Sequence, residues 1–262
     1  MASVAVAPCN ILFAVGVGAP NKPQDVTAVQ QRLQYIRDQS KMNGVPLRRF
    51  GYAGLGGRGE ISRIPNGKCD EITVGWIKEF QSHFLKEPDG SISPGGTTNK
   101  FLSNWFLKDI QGDVKWTGPQ IQSDGTQLKA AWLTLSPLLP KGSICKSAYR
   151  DADDQRAIID NFWSHTYATQ LKGKLGSRYD QIGALTGDAR YRAMVTELKA
   201  IGQAVALPGV SRHQFGKAID IGGPPDAEQI RVATMVGKAQ PSVFNLKQLL
   251  LERNGCVHVE IF

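Results

Sequence analysis

The chain has 262 residues, 41% hydrophobic and 21% charged, a balance that sustains one large or two small packed domains and excludes disorder as the default state. No stretch approaches the ~20 apolar residues of a membrane span. The net charge of +8 divides evenly: residues 1–112 carry 13 Lys and Arg against 9 Asp and Glu, and the remainder 18 against 14, which argues against a basic nucleic-acid-binding tail.

Residues 1–19 are apolar, but the first basic residue is Lys22, and Pro8, Cys9 and Asn10 interrupt the run. A signal peptide needs a basic start, so the expectation is synthesis in the cytoplasm without cleavage. Val6-Ala7-Pro8-Cys9 resembles a lipoprotein cleavage site only weakly, because Pro8 stands where a small residue is wanted. Val26, Val29, Leu33 and Ile36 then recur on one helix face, with Pro23 and Asp25 at its start. A Gly-rich segment runs from Gly51 to Gly67, and Trp76, Ile77, Phe80 and Phe84 mark a second amphipathic helix. The stretch Asp89 to Thr98 reads as a turn-rich loop, followed by a third short helix near Asn99 to Leu107.

Gly118, Pro119, Ser123 and Asp124 mark residues 113–126 as a linker between a domain at 1–112 and one at 127–262. The second half opens with a helix over Gln127–Leu135. A long helix after Tyr149 is expected to bury Ile158, Ile159, Phe162, Trp163 and Leu171. Another, from Arg190 to Val205, turns Met194, Val195, Leu198 and Ile201 inward and is stopped by Pro208-Gly209. Strands are predicted at Ala218–Ile221 and Cys256–Ile261, with a helix around Val243–Arg253 between them, ended by Asn254-Gly255.

The chemistry concentrates in the two strands. In Ser211-Arg212-His213-Gln214-Phe215-Gly216-Lys217-Ala218-Ile219-Asp220, the strand period sets Ala218 and Asp220 on one face and Ile219 and Ile221 on the other. Gly216 permits a tight path that returns His213 toward Asp220. In the last strand Cys256, His258 and Glu260 oppose Val257, Val259 and Ile261. If the strands are neighbours, His213, Asp220 and His258 converge. Two imidazoles and a carboxylate are zinc ligands, and three protein ligands leave the fourth position that catalytic sites keep open. Spacing alone leaves ordinary buried histidines as the competing reading. Cys9, Cys69, Cys145 and Cys256 contain no CxxC pair, so a cysteine-based metal site is disfavoured, although Cys256 shares the face of His258.

Two resemblances sharpen this. Residues 15–108 resemble the small helical peptidoglycan-binding domain of cell-wall hydrolases, through Asp25-Val26-x-x-Val29-Gln30-x-x-Leu33 and Thr73-x-x-Trp76-Ile77-x-x-Phe80-Gln81. The Asp89-Gly90-x-Ile92-x-Pro94-Gly95-Gly96-x-Thr98 loop and Leu102 complete the match. Residues 127–262 resemble the D-Ala-D-Ala carboxypeptidase and hedgehog-like zinc peptidase family, which includes phage endolysins. That likeness rests on Ser211-x-His213-x-x-Gly216-x-Ala218-x-Asp220, on Val257-His258-Val259-Glu260, and on Ser147-Ala148-Tyr149-Arg150 with Gln155.

The resemblance implies an α+β fold: a small helical N-terminal domain, then a zinc peptidase domain with a small antiparallel sheet. It implies Zn2+ on His213, Asp220 and His258, Arg150 at the active site, and Ser211 and Gln155 along the substrate cleft. One departure stands out. Relatives carry the general base three residues before the last histidine, where this chain has Gly255. Glu252, six residues before His258, is the preferred substitute, placed by a helix end and turn over the metal; Glu260 is the alternative, either as base or as a group orienting a ligand.

The implied function is zinc-dependent hydrolysis of an amide bond in the peptidoglycan stem peptide or cross-link. A mildly cationic surface suits the anionic envelope. The alternative is a zinc-containing wall-binding protein that does not cut. Implied partners are peptidoglycan and either a secretion apparatus with an immunity protein, as for an antibacterial effector, or a phage holin. The expected site of action is the periplasm or cell wall.

Overall fold

The computed structural model describes residues 8–42, 65–105, 114–118 and 126–262. The expected Gly-rich segment falls outside the described residues at 51–64, as does the linker over 119–125. The described residues form two compact units.

The first unit draws on Met1–Lys108, Ala130–Gly142 and Ala227–Leu246. Helix α1 (Pro23–Met42) buries Val26, Val29, Leu33 and Ile36 completely, so the stripe read from the sequence is its core face. Asp25 stands in the first turn as expected, and its carboxylate also accepts from the amides of Leu12 (2.9 Å) and Phe13 (3.2 Å), tying down the preceding segment. Strand β1 (Val15–Gly16) pairs antiparallel with β2 (Ser91–Ile92). Gly16 has φ +122°, and a Cβ there would stand 2.0 Å from the Gly90 carbonyl oxygen, so only glycine fits.

Helix α2 (Glu71–Gln81) is capped by Asp70, whose side chain accepts from Thr73 N at 2.9 Å. Buried Arg32 reaches from α1 to the end of α3 (Thr97–Asn104), donating to the carbonyls of Leu102 (2.7 Å), Ser103 (2.9 Å) and Trp105 (3.2 Å). It thereby satisfies acceptors that a helix C-terminus leaves open. The third helix thus starts and stops earlier than Asn99–Leu107. Helix α4 (Thr126–Leu135) contributes to this unit from Ala130 onward.

The second unit comprises Asp109–Lys129, Ser143–Asp226 and Lys247–Phe262. Its sheet has the order β3-β4-β6-β5, with β3 Ile144–Ser147, β4 Ala218–Gly222, β5 Leu246–Leu251 and β6 Val257–Ile261. Around it run α5 (Ala152–Asn161), a π-helical turn (Phe162–Thr166), α6 (Ala168–Leu175), α7 (Arg178–Gly183) and α8 (Gly187–Ala200). Ile159, Trp163, Leu171, Tyr179, Ile182, Met194, Val195, Leu198 and Val205 form their shared core, with Trp163 and Tyr179 stacked at 4.7 Å. Each such aliphatic side chain contributes roughly 1.5–3 kcal/mol by leaving water. The fold is α+β with a small antiparallel sheet, as the sequence predicts.

Four elements differ from expectation. The helix placed at Val243–Arg253 is instead strand β5, at the edge of the sheet beside β6. Its leucines, lysine and glutamine favour helices as isolated residues, but the open edge of β6 overrides that preference. The helix in this region lies earlier, as α9 (Asp226–Ala239), with Gln229, Val232, Ala233 and Val236 buried at helical spacing. The long helix after Tyr149 is interrupted by the π-helical turn, which sends Trp163 into the core and leaves Ile158 and Phe162 half-buried. Finally, α8 ends at Ala200 rather than near Val205, because Gly202 (φ +84°) turns the chain.

Candidate metal centre and active site

Strands β4 and β6 set the geometry. Their antiparallel register puts Asp220 directly opposite His258 and Ala218 opposite Glu260. Directly opposed side chains on such a pair lie ~5 Å apart at Cβ, so register alone makes Asp220 and His258 neighbours. His213 arrives from a 3-10 turn (Arg212–Phe215) closed by Gly216 at φ +63°, a left-handed conformation that glycine adopts freely. The tight path anticipated at Gly216 is therefore the one taken.

Three possible ligand atoms meet at one point. His213 Nε2 lies 3.2 Å from His258 Nδ1 and 3.2 Å from Asp220 Oδ1, and His258 Nδ1 lies 2.8 Å from Asp220 Oδ1. All three residues are buried. The other ring nitrogens have partners of their own. His213 Nδ1 stands 2.5 Å from the Ala148 carbonyl oxygen, which obliges it to carry the proton. His258 Nε2 faces Glu260 Oε1 at 3.4 Å. The Ala148 carbonyl assigns the His213 tautomer and turns its Nε2 lone pair inward, while His258 Nδ1 hydrogen-bonds to the Asp220 carboxylate. A proton on His258 Nδ1 satisfies its contact with Asp220, and a metal ion in its place would draw on the same three atoms. Two zinc bonds of ~2.0–2.1 Å at a tetrahedral angle hold their donor atoms roughly 3.3 Å apart, close to the observed spacing. The donor set and its spacing fit zinc.

Burial lowers the pKa of His213 and keeps it neutral, outweighing the pull of Asp220. Burial would raise the pKa of Asp220, but His213 and Arg150 outweigh it and hold the carboxyl well below the usual range. Burial likewise opposes a charge on His258, yet its hydrogen bond to Asp220 prevails and raises its pKa.

Around this centre lies a cleft of about 870 Å³. Arg150, immediately before α5, donates through Nη2 to Asp220 Oδ2, leaving Oδ1 for the centre. Its Nε is buried and without a hydrogen-bond partner among the described residues. Gln155 is buried; its Nε2 donates to the Ala206 carbonyl at 2.9 Å, while its Oε1 has no partner among the described residues. Ser211 also lines the cleft. Glu252 lies on the same cleft, and its pKa is raised by burial and by the negative charge of Asp220. It stands not at a helix end, as expected, but in the turn joining β5 to β6: its amide donates to the Cys256 carbonyl at 2.9 Å. Glu260 is engaged elsewhere, 3.6 Å from Arg212 Nε and 3.5 Å from Lys247 Nζ, besides His258.

Residues 142–248 match the family model of the D-alanyl-D-alanine carboxypeptidases (VanY). No curated protein and no solved structure matches the chain. The family resemblance read from the sequence is met within the VanY segment, which contains Arg150, Gln155, Ser211, His213 and Asp220. Glu252, His258 and Glu260 lie beyond it and join the site through the sheet. The match spans less than half of the chain, and for that segment it supports a peptidase.

Sequence reasoning missed several lining groups. The Ala148 carbonyl that fixes His213 carries no side-chain signal. Ile158 and Phe162 looked like core because apolar spacing cannot tell a core from a cleft wall. Lys146 is turned by a register shift between Cys145 and Ser147, a local irregularity invisible in sequence.

Proposed function

We propose that the second unit is a zinc-dependent peptidase that hydrolyses an amide bond in the peptide part of bacterial peptidoglycan. The observation that carries this reading is the convergence of His213 Nε2, Asp220 Oδ1 and His258 Nδ1 at 2.8–3.2 Å on a cleft that is also lined by an arginine and a glutamate. Zinc held by these three residues supplies Lewis-acid chemistry, withdrawing electron density from the carbonyl to be cut and from the attacking water.

The chain's own residues do the rest. Glu252, with its raised pKa, accepts the water's proton and returns it to the leaving amine. Arg150 offers its unpartnered donor to the carbonyl oxygen as negative charge develops there, while its other arm keeps Asp220 ionised. Gln155 and Ser211 line the cleft in which the substrate would lie. Glu260 orients His258. The N-terminal unit is proposed to bind the wall polymer and so raise local substrate concentration. The biological role in this reading is a phage endolysin or a secreted antibacterial effector acting in the periplasm or cell wall.

The test is metal content and turnover of purified wall fragments. One zinc per chain is expected, with activity abolished by a chelator and restored by zinc. His213→Ala, Asp220→Ala and His258→Ala should each weaken zinc binding strongly. Unchanged zinc in all three variants removes the metal centre. Zinc bound without turnover leaves the non-cutting wall-binding protein as the better reading.

A further inference from the structure

The turn bearing Glu252 is fixed internally by its own hydrogen bonds. Glu252 N donates to Cys256 O at 2.9 Å, and Gly255 N to Glu252 O at 3.0 Å. Asn254 Nδ2 donates to Glu252 Oε2 at 2.9 Å, while its Oδ1 accepts from Cys256 N at 2.9 Å. These bonds shape the turn. They do not determine where it stands against the opposite wall of the cleft.

Arg253 supplies that second constraint. Its Nη1 donates to the Ile201 carbonyl, and its guanidinium lies 6.0 Å from the Tyr167 ring centroid. Ile201 is the C-cap of α8, where carbonyls are left open and a cation is favoured. The receiving segment is itself immobilised. Tyr167 Oη donates to Gln203 Oε1, Gln203 Nε2 donates to Ala204 O at 2.9 Å, and Gln155 Nε2 donates to Ala206 O at 2.9 Å. Ala204, Val205 and Ala206 line one wall of the cleft, and Glu252 and Asn254 line it from the turn. Among the described residues Arg253 forms no ion pair, so no carboxylate competes for it.

We propose that Arg253 is a positioning residue that clamps the β5–β6 turn to the 201–206 wall and thereby sets where the Glu252 carboxylate stands in the cleft. This rests on the reading of Glu252 as general base. A guanidinium suits the task because it can donate to the carbonyl while lying over the aromatic ring, whereas a lysine keeps only the point charge and a single donor head.

The experiment uses the full-length, zinc-loaded chain and soluble muropeptides. Arg253→Ala should lower kcat by ~10-fold, the usual cost of losing a group that orients a reacting one, with KM within about twofold and zinc content unchanged. Arg253→Lys should recover part of the loss. In the Glu252→Gln background, Arg253→Ala should change the residual rate little, since there is no base left to position. Wild-type kcat in Arg253→Ala overturns the proposal, as does an equal fractional loss in both backgrounds. Full activity in Glu252→Gln alone refutes the base assignment and the clamp with it. An inactive Glu252→Gln with an unaffected Arg253→Ala refutes the clamp only.

Discussion

Glu252 and Glu260 are two carboxylates on one cleft, and their surroundings give them different work. Glu260 is held among Arg212, Lys247 and His258, with little freedom to exchange a proton with substrate. Glu252 has one neutral amide partner and a pKa raised by burial, which suits a proton acceptor. Glu252→Gln keeps the size of the side chain but cannot take a proton, so turnover should fall by ~100-fold or more with zinc retained. Glu260→Gln should cost ~10–100-fold and loosen zinc, because His258 loses the partner that fixes its tautomer. Turnover and metal content measured side by side check both. An inactive, zinc-loaded Glu260→Gln beside an active Glu252→Gln reverses the assignment.

Helices α1 and α2 and strands β4 and β6 were legible because each repeats apolar residues at its own period. Strand β5 was not, since Leu246–Leu251 has no alternating pattern and takes its conformation from β6. The convergence of His213, Asp220 and His258 was legible through strand parity and Gly216. The seat of Glu252 was not, because a hairpin turn was taken for a helix end. Single residues at helix ends also carry consequences that patterns hide. His83, just past α2, is buried, its Nε2 has no partner among the described residues, and burial lowers its pKa to about 4. The unfolded chain therefore gains a proton near pH 6.5 that the folded chain refuses until about pH 4. Stability is complete above pH ~6.5 and falls as pH drops toward about 4, by on the order of 3 kcal/mol. Chemical denaturation between pH 7 and 4.5 should show this slope, and His83→Gln should flatten it. An unchanged slope in the variant assigns the acid sensitivity elsewhere.

Chain order and folding unit do not coincide in this molecule. None of the described helices is long and apolar enough to cross a membrane. The first unit takes in Ala130–Gly142 and Ala227–Leu246, both from beyond the expected linker at 113–126. Inside that unit, Gln240 Nε2 donates to the Ser82 carbonyl at 2.7 Å, and the Arg231 guanidinium lies 5.6 Å from the Phe101 ring centroid. Phe244, Val232, Ala233 and Val236 are fully buried. A fragment of residues 113–262 would keep the His213, Asp220 and His258 centre but strip α9 of Ser82 and Phe101. Exposed apolar surface on this order destabilises by several kcal/mol, a large share of the 5–15 kcal/mol that holds a domain together. The fragment should therefore unfold less cooperatively than the whole chain, bind a hydrophobic dye, and retain less than one zinc. Circular dichroism melts, dye fluorescence and metal analysis on both proteins decide it. A fragment that melts in one sharp transition with a full zinc complement would mean that α9 needs nothing from residues 1–112, and that the cut at the linker separates two independent modules.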